Sequence, residues 1–479
     1  MIDFPRDPSG QELTVESLAV NGLMEFEPDG KVKLGLASSV EHPNATTYVY
    51  HLRQVKFSDG KPMTSADVVF SLERNTVLKE SVLKPYWEEV ASITAPNRST
   101  VMIKLKQPNA VFEDIVAFSG QVVEKASTEK IGEKEIGAPG HLLIGTGPWK
   151  LDSYQPEASV VLSRNPYWTG APVLAQKITV DLFKSESSMA LAIRSHGIDG
   201  ADAYLAPKLL DNIPGTHELT APGVSVNFAS ANTSSPPFNE VHVRRALAYA
   251  TDTKGMIKAF YPPGTATQDA SILPNSLFTS LGSQQQVNEI LGSVPKYEFN
   301  LAKAKQELAK SSYPHGFSTE IDVEAVSSNY VSAAEIMSAD LAKIGISAKV
   351  REVQGDEVTS VMLGGKSKIE LNEIGAVYPD PEGLMSTILS PSQIGSLNTS
   401  NYKSSKFDRL LAEQIKITEP SRRLEVIGRL LKVEGEEVPT WPLYTHLTFG
   451  VLSNQYVISG FSWWSMFWDP WALNIKLAS

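Results

Sequence analysis

A mixed α/β protein built from about three domains' worth of chain is the fold class this sequence predicts. The 479 residues exceed what one hydrophobic core organises at roughly 150 residues per domain. Strand periodicity passes through a turn directly into helix periodicity at residues 47–74. Helix periodicity passes directly into strand periodicity at residues 334–350, and such alternation is the mark of α/β layers.

Tyr48, Tyr50 and Leu52 alternate with Val49, His51 and Arg53, which predicts a strand. Ser58-Asp59-Gly60 is turn chemistry. Thr64 or Ser65 then caps a helix, with Asp67 in its first turn and Val68, Val69 and Leu72 as its apolar stripe. Val101, Ile103 and Leu105 predict a second strand, stopped at Gln107-Pro108. Further on, Val243, Leu247 and Ala250 line one face of a helix whose other face carries Arg244 and Arg245. Asn300 caps LAKAKQELAKS, with Leu301, Ala304 and Leu308 on one side. Ala334, Met337, Leu341 and Ile344 recur at helical spacing, Gly345 stands where a C-cap would, and Ile346, Ala348 and Val350 alternate as a strand. Leu424, Ile427 and Leu431 predict one more amphipathic helix before VPTWPLY.

The net charge of -11 excludes a nucleic-acid binder, which needs a basic footprint for the phosphates. With no cysteine, disulfides, thiolate metal sites, iron–sulfur clusters and cysteine nucleophiles are excluded. No apolar run reaches the length that spans a bilayer. The chain opens MIDFPRDPSG, with neither a charged n-region nor an apolar h-region. That fits a cytosolic protein or a mature chain whose leader has been removed.

The catalytic signatures are missing. There is no H-E-x-x-H, no histidine pair at ligand spacing, no phosphate-binding G-x-x-x-x-G-K-[ST] and no G-x-S-x-G. Neither a metal site nor a cofactor is expected. Gly145-Thr146-Gly147 lacks the third glycine of a dinucleotide fingerprint and runs into Pro148, so its expected role is backbone turning. The C-terminal cluster Phe461, Trp463, Trp464, Phe467, Trp468 and Trp471 has two readings. It packs as the core of a returning segment, or one or two of its tryptophans wall a ligand cleft with flat faces suited to stacking.

Four segments, in order, carry a family resemblance. TYVYHLRQVKFSDGKPMTSADVVFSLER (47–74) is the longest. GTGPWKLDSYQPEASVVLSRNPYW (145–168), PPFNEVHVRRALAYATDTKGMI (236–257) and YEFNLAKAKQELAKSSYPHG (297–316) follow it. Together they resemble the solute-binding proteins of the peptide, nickel and opine group of ATP-binding-cassette importers, the family 5 group that includes oligopeptide and dipeptide binders. The resemblance implies a two-lobed periplasmic-binding-protein fold with a hinge, and an accessory α/β domain inserted in lobe one. On that layout lobe one takes 1–21, 145–225 and 445–479, the accessory domain 22–144 and lobe two 226–444.

It also implies a binding role without catalysis, for a peptide-like or other mid-sized solute held between two lobes. The expected partners are that ligand and an importer's membrane permease, the expected state is a monomer, and the expected location is periplasmic or lipid-anchored at the cell surface. The ligand-binding candidates are Asn227, Phe228 and Asn232, at the first crossing between lobes; Ile374, Gly375, Ala376, Val377 and Tyr378, whose backbone a ligand would meet; and Trp463 and Trp464. Peptide binders of the family carry an aspartate just before the stretch matching Tyr378-Pro379-Asp380-Pro381, where it pairs with the peptide's ammonium. Here that position is Val377. The departure favours a cargo without an essential free amine: a blocked or cyclic peptide, an oligosaccharide, or an aromatic or opine-type solute. A ligand sensor or chaperone on the same lobes is the alternative from another class, and a hydrolase is a remote one because nothing places two carboxylates together.

Overall fold

The computed structural model describes residues 1–7, 10–202, 207–210, 212–325, 328–355 and 357–478. The chain divides into two compact units. Unit 1 takes Met1–Ala201, Ile213–Ala221 and Val451–Ser479; unit 2 takes Asp202–Asn212 and Pro222–Gly450.

In unit 1 a four-stranded antiparallel sheet runs in the order Ala37–Asn44, Thr47–Leu52, Thr100–Leu105, Val90–Asn97. The expected alternation holds: Tyr48, Tyr50 and Leu52 are buried, as are Val101, Ile103 and Leu105. Helix Ser65–Val77 begins with Thr64 as N-cap, and the Asp67 carboxylate accepts from the Thr64 backbone N–H at 2.9 Å. Strands Trp149–Gln155, Ser159–Arg164 and Lys177–Asp181 form a second antiparallel sheet. The glycines leading into it are demanded by close approach, since a Cβ on Gly147 would lie 2.6 Å from the Leu18 carbonyl oxygen.

Unit 2 is organised by a six-stranded mixed sheet in the order Ala266–Thr267, Thr440–His446, Ser225–Ala231, Ile369–Gly375, Ser318–Glu324, Ser347–Val353. The first four strands pair antiparallel and the last three are mutually parallel. Strand Ser225–Ala231 is central, and all seven of its residues are buried. Its reading, SVNFASA, is small enough to be covered on both faces. Helices Val241–Tyr249, Leu301–Leu308 and Ser328–Ala342 bury Val243, Leu247, Ala304, Leu308, Ala334, Met337 and Leu341 in one apolar core with the sheet. Asn300 caps its helix as expected, accepting from the Lys303 N–H at 3.0 Å. Gly345, at φ 90°, turns the chain from helix into strand.

Arg244 departs from the sequence reading, which put it on a polar face. It is 7% exposed. Its guanidinium donates to the Val438 carbonyl at 2.9 Å, to the Phe238 carbonyl at 2.7 Å and to the Glu437 carbonyl. Helix Pro420–Glu437 ends there, with Val438 left-handed at φ 47°. A long donor fork reaching otherwise orphaned carbonyls explains the burial.

Candidate functional site

The register of unit 2 sets Asn227 opposite Glu373 on one side and Tyr444 on the other. Cross-strand partners share a face, and alternation adds Ser225 and His446 to it. Glu373 is the centre of this polar face. Its Oε1 accepts from Ser225 Oγ at 2.6 Å and lies 2.9 Å from His446 Nε2; its Oε2 accepts from Tyr330 Oη at 3.0 Å. His446 Nδ1 lies 2.8 Å from the Leu447 carbonyl. With an acceptor at each nitrogen, the ring is held as an imidazolium donating both protons. Tyr261 stacks on it, with centroids 5.3 Å apart and planes 15° apart.

Burial alone would raise the Glu373 pKa, but the His446 charge and the hydrogen bonds outweigh it and hold the carboxyl below its ordinary range. Burial likewise opposes charge on His446, and the Glu373 carboxylate overcomes it and raises the imidazole. The approach of the Pro222–Val224 segment depends on Gly223, where a Cβ would lie 1.8 Å from the His446 carbonyl oxygen.

Asn227 is 2% exposed, and its Nδ2 has no hydrogen-bond acceptor among the described residues. An amide left so costs roughly 1–3 kcal/mol, and it sits beside the Glu373 cluster. Beyond Glu373 the chain keeps its ladder, with the Ala376 N–H donating to the Val224 carbonyl at 3.0 Å. Ile374 and Ala376 turn inward, while Gly375 and Val377 are half-buried. Tyr378 is buried and its hydroxyl donates to the Glu382 carboxylate. Asp380 caps helix Pro381–Leu389 through the Glu382 N–H at 2.9 Å. It also takes both ends of the Arg423 guanidinium at 2.6 Å.

Among the expected residues, Asn227 and Gly375 lie on this polar face, while Ile374 and Ala376 fall on the opposite, inward face and Val377 and Tyr378 follow the strand. Phe228 is fully buried, opposite Asn372 and Pro442. Asn232 is 7% exposed and committed to the backbone, donating to the Gly365 and Ser367 carbonyls and accepting from Ser234 Oγ. Trp463 and Trp464 belong to unit 1, in helix Trp463–Trp468 capped by Ser462. Trp464 is buried against Phe26 and Trp468, and Trp463 packs edge-on to Phe467 at 4.6 Å. Sequence reasoning did not single out Ser225, Tyr261, Tyr330, Glu373 or His446, whose only shared signal is spatial. Among the described residues no group of three acidic, histidine or cysteine side chains could hold a metal ion, and no helix is long and apolar enough to cross a membrane.

Known proteins match the chain along most of its length. It is 26% identical to heme-binding protein A of Haemophilus influenzae, covering 92% of this chain and 85% of that protein. It is 26% identical to the periplasmic oligopeptide-binding protein OppA of Escherichia coli K12, covering 89% and 81%. The solved structure of the periplasmic binding protein AgaA from A. tumefaciens R10, in complex with agropinic acid, superposes with a TM-score of 0.87 at 23% identity, covering 100% of this chain and 96% of that one. The fold is therefore that of the two-lobed periplasmic binding proteins. The pattern described as "Bacterial extracellular solute-binding proteins, family 5 Middle" matches residues 31–396, well over half of the sequence, and the chain belongs to that family.

Proposed function

We propose that this protein captures a mid-sized solute outside the cytoplasm, holds it without turning it over, and hands it to the membrane permease of an ATP-binding-cassette importer, acting as a monomer. Family membership supports the class. The ligands named for its relatives, heme, oligopeptide and agropinic acid, span very different chemistries. The residues themselves must therefore narrow the cargo.

One observation carries that narrowing. Every carboxylate between Glu373 and Glu382 is already engaged: Glu373 by His446, Ser225 and Tyr330, Asp380 by Arg423, and Glu382 by Tyr378. Val377, where peptide binders of the family carry an aspartate, offers none. An ammonium brought to this stretch finds no free anion, and burying it unpaired is costly. The cargo read from this is a solute without an essential free amine: a blocked or cyclic peptide, an opine-type or aromatic solute, or an oligosaccharide. Asn227, with its unpaired amide, is the residue best placed to be relieved by such a ligand.

Native mass spectrometry of the purified protein, followed by denaturation and identification of the released molecule, tests this. A blocked peptide, opine, sugar or aromatic supports it. A retained peptide with a free amine overturns the cargo reading and leaves the transport reading standing. A ligand returned chemically altered overturns both.

A further inference from the structure

Unit 2 contains a cavity of about 180 Å³ that none of Asn227, Glu373, His446, Ser225, Tyr261 and Tyr330 lines. It has room for about six waters at ~30 Å³ each. Helix Pro420–Glu437 contributes Glu434 to its wall, with a side chain only 3% exposed. One Glu434 oxygen accepts from Thr440 Oγ1 at 3.0 Å; the other has no hydrogen-bond partner among the described residues. Burial, only partly offset by that hydrogen bond, pushes the carboxyl up to about 8. Asp269, on the same wall, is pushed up to about 6 by burial, and its Oδ2 has no hydrogen-bond partner among the described residues.

Several other buried acids of this unit have a basic partner. Glu373 has His446, Asp380 has Arg423 and Asp322 has Arg351 at 2.8 Å. Glu370 also lacks a basic partner, and neither of its oxygens meets a hydrogen-bond donor among the described residues, but it does not line this cavity. Glu434 has open space instead. The charged groups around it do not fill the role of a cation. Arg245 donates to the Glu436 carbonyl at 2.6 Å and does not line the cavity. Burial holds the Tyr297 and Tyr402 phenols above their ordinary range, so both are neutral. Lys296 and Glu298, also in the lining, are exposed to solvent. Val294, Pro295 and the Trp441 indole complete an apolar wall.

We propose that this cavity is a second ligand site, separate from the cargo site, taking a small organic dication: a short alkyldiamine with one ammonium on Glu434, the other on Asp269, and its methylenes against Val294, Pro295 and Trp441. A carboxylate buried without a counter-charge is a costly arrangement, and an ammonium in the adjoining space relieves it. The cavity's size admits a chain of a few methylenes and no larger cargo. Pairing forces Glu434 to ionise, so binding near neutral pH expels a proton to solvent.

Isothermal titration of the full-length chain with putrescine, in two buffers of different ionisation enthalpy, tests the proposal. Putrescine binds with release of close to one proton. Glu434→Gln, which keeps the Thr440 hydrogen bond, weakens binding by roughly tenfold or more and abolishes the proton release. Asp269→Asn, on a loop, carries the same test should Glu434→Gln fail to fold. Asn227→Ala leaves putrescine binding unchanged. No heat at millimolar putrescine, binding unaltered by both carboxylate changes, or binding lost in Asn227→Ala each overturns the site, and none of them bears on cargo capture.

Discussion

Glu373 and His446 form an ion pair inside unit 2, Oε1 to Nε2 at 2.9 Å, with side chains 2% and 4% exposed. Their pKa values move in opposite directions, and stability follows. His446 is raised above its ordinary 6.5, so its contribution is complete below that pH and is lost as pH rises through the raised value. Glu373 is lowered from its ordinary 4.5, so its contribution is complete above that pH and is lost as pH falls through the lowered value. Both are whole between 4.5 and 6.5. His446→Gln should cost roughly 3–5 kcal/mol in that window, as expected for breaking a buried pair. It should also remove the loss of stability on the alkaline side. Urea unfolding of both proteins inside the window and well above it checks this; parallel pH profiles would rule the pair out as the source.

Asp380 is a structural carboxylate. It caps helix Pro381–Leu389 and holds Arg423, itself 4% exposed, in a two-pronged pair. Arg423→Ala should therefore destabilise by roughly 3–5 kcal/mol, because it strands a buried charge. The spectrum of ligands retained by the folded fraction should not change. Denaturant midpoints give the first quantity and mass spectrometry of released ligand the second. A new preference for free-amine cargo in Arg423→Ala would show that Asp380, once freed, reaches the ligand.

Much of the fold was legible because its signals are local. Thr64 with Asp67, Asn300, and Gly345 between a helix and a strand are each decided within one turn of chain, and each holds in the structure. Arg244 misled because helical spacing places a side chain on a face and says nothing of what covers it; the cover is the end of helix Pro420–Glu437, nearly two hundred residues on. The Glu373 cluster was unreadable for the same reason. Ser225, Tyr330 and His446 come from two other strands and a helix, and nothing around any one of them announces the rest. Trp464 could be placed among aromatics by composition, but that Phe26 is its partner is a tertiary fact.

The Arg244 contacts make a sharp stability test. Replacing it by methionine keeps the stem and removes the donors, leaving the Phe238 and Val438 carbonyls without their Arg244 donors. Each stranded group costs roughly 1–3 kcal/mol, so Arg244→Met should destabilise by about 2–5 kcal/mol. Arg244→Lys should recover only part, since an ammonium cannot reach three carbonyls in the fork's geometry. Thermal and urea unfolding of the two variants decides it. Equal stability of Arg244→Lys and wild type would mean that charge, and not the fork, is what the helix end requires.

Val377 is the position at which cargo choice should be switchable. It is half-buried, follows the inward-facing Ala376, and precedes Tyr378, whose hydroxyl is tied to Glu382. The carboxylates on either side are already partnered, so an aspartate introduced here would be the one unpaired anion on the stretch. A charge-assisted hydrogen bond to a cargo ammonium contributes roughly 1.5–3 kcal/mol, about ten- to a hundredfold in affinity. Val377→Asp should therefore raise affinity for a free-amine dipeptide by that factor relative to its N-acetylated form, measured by paired calorimetric titrations. The gain should vanish on the alkaline side of the peptide's amine, where the ammonium is lost. If the two peptides remain indistinguishable while the variant stays folded, residue 377 does not meet the cargo, and the case for an amine-free solute must rest on the partnered carboxylates alone.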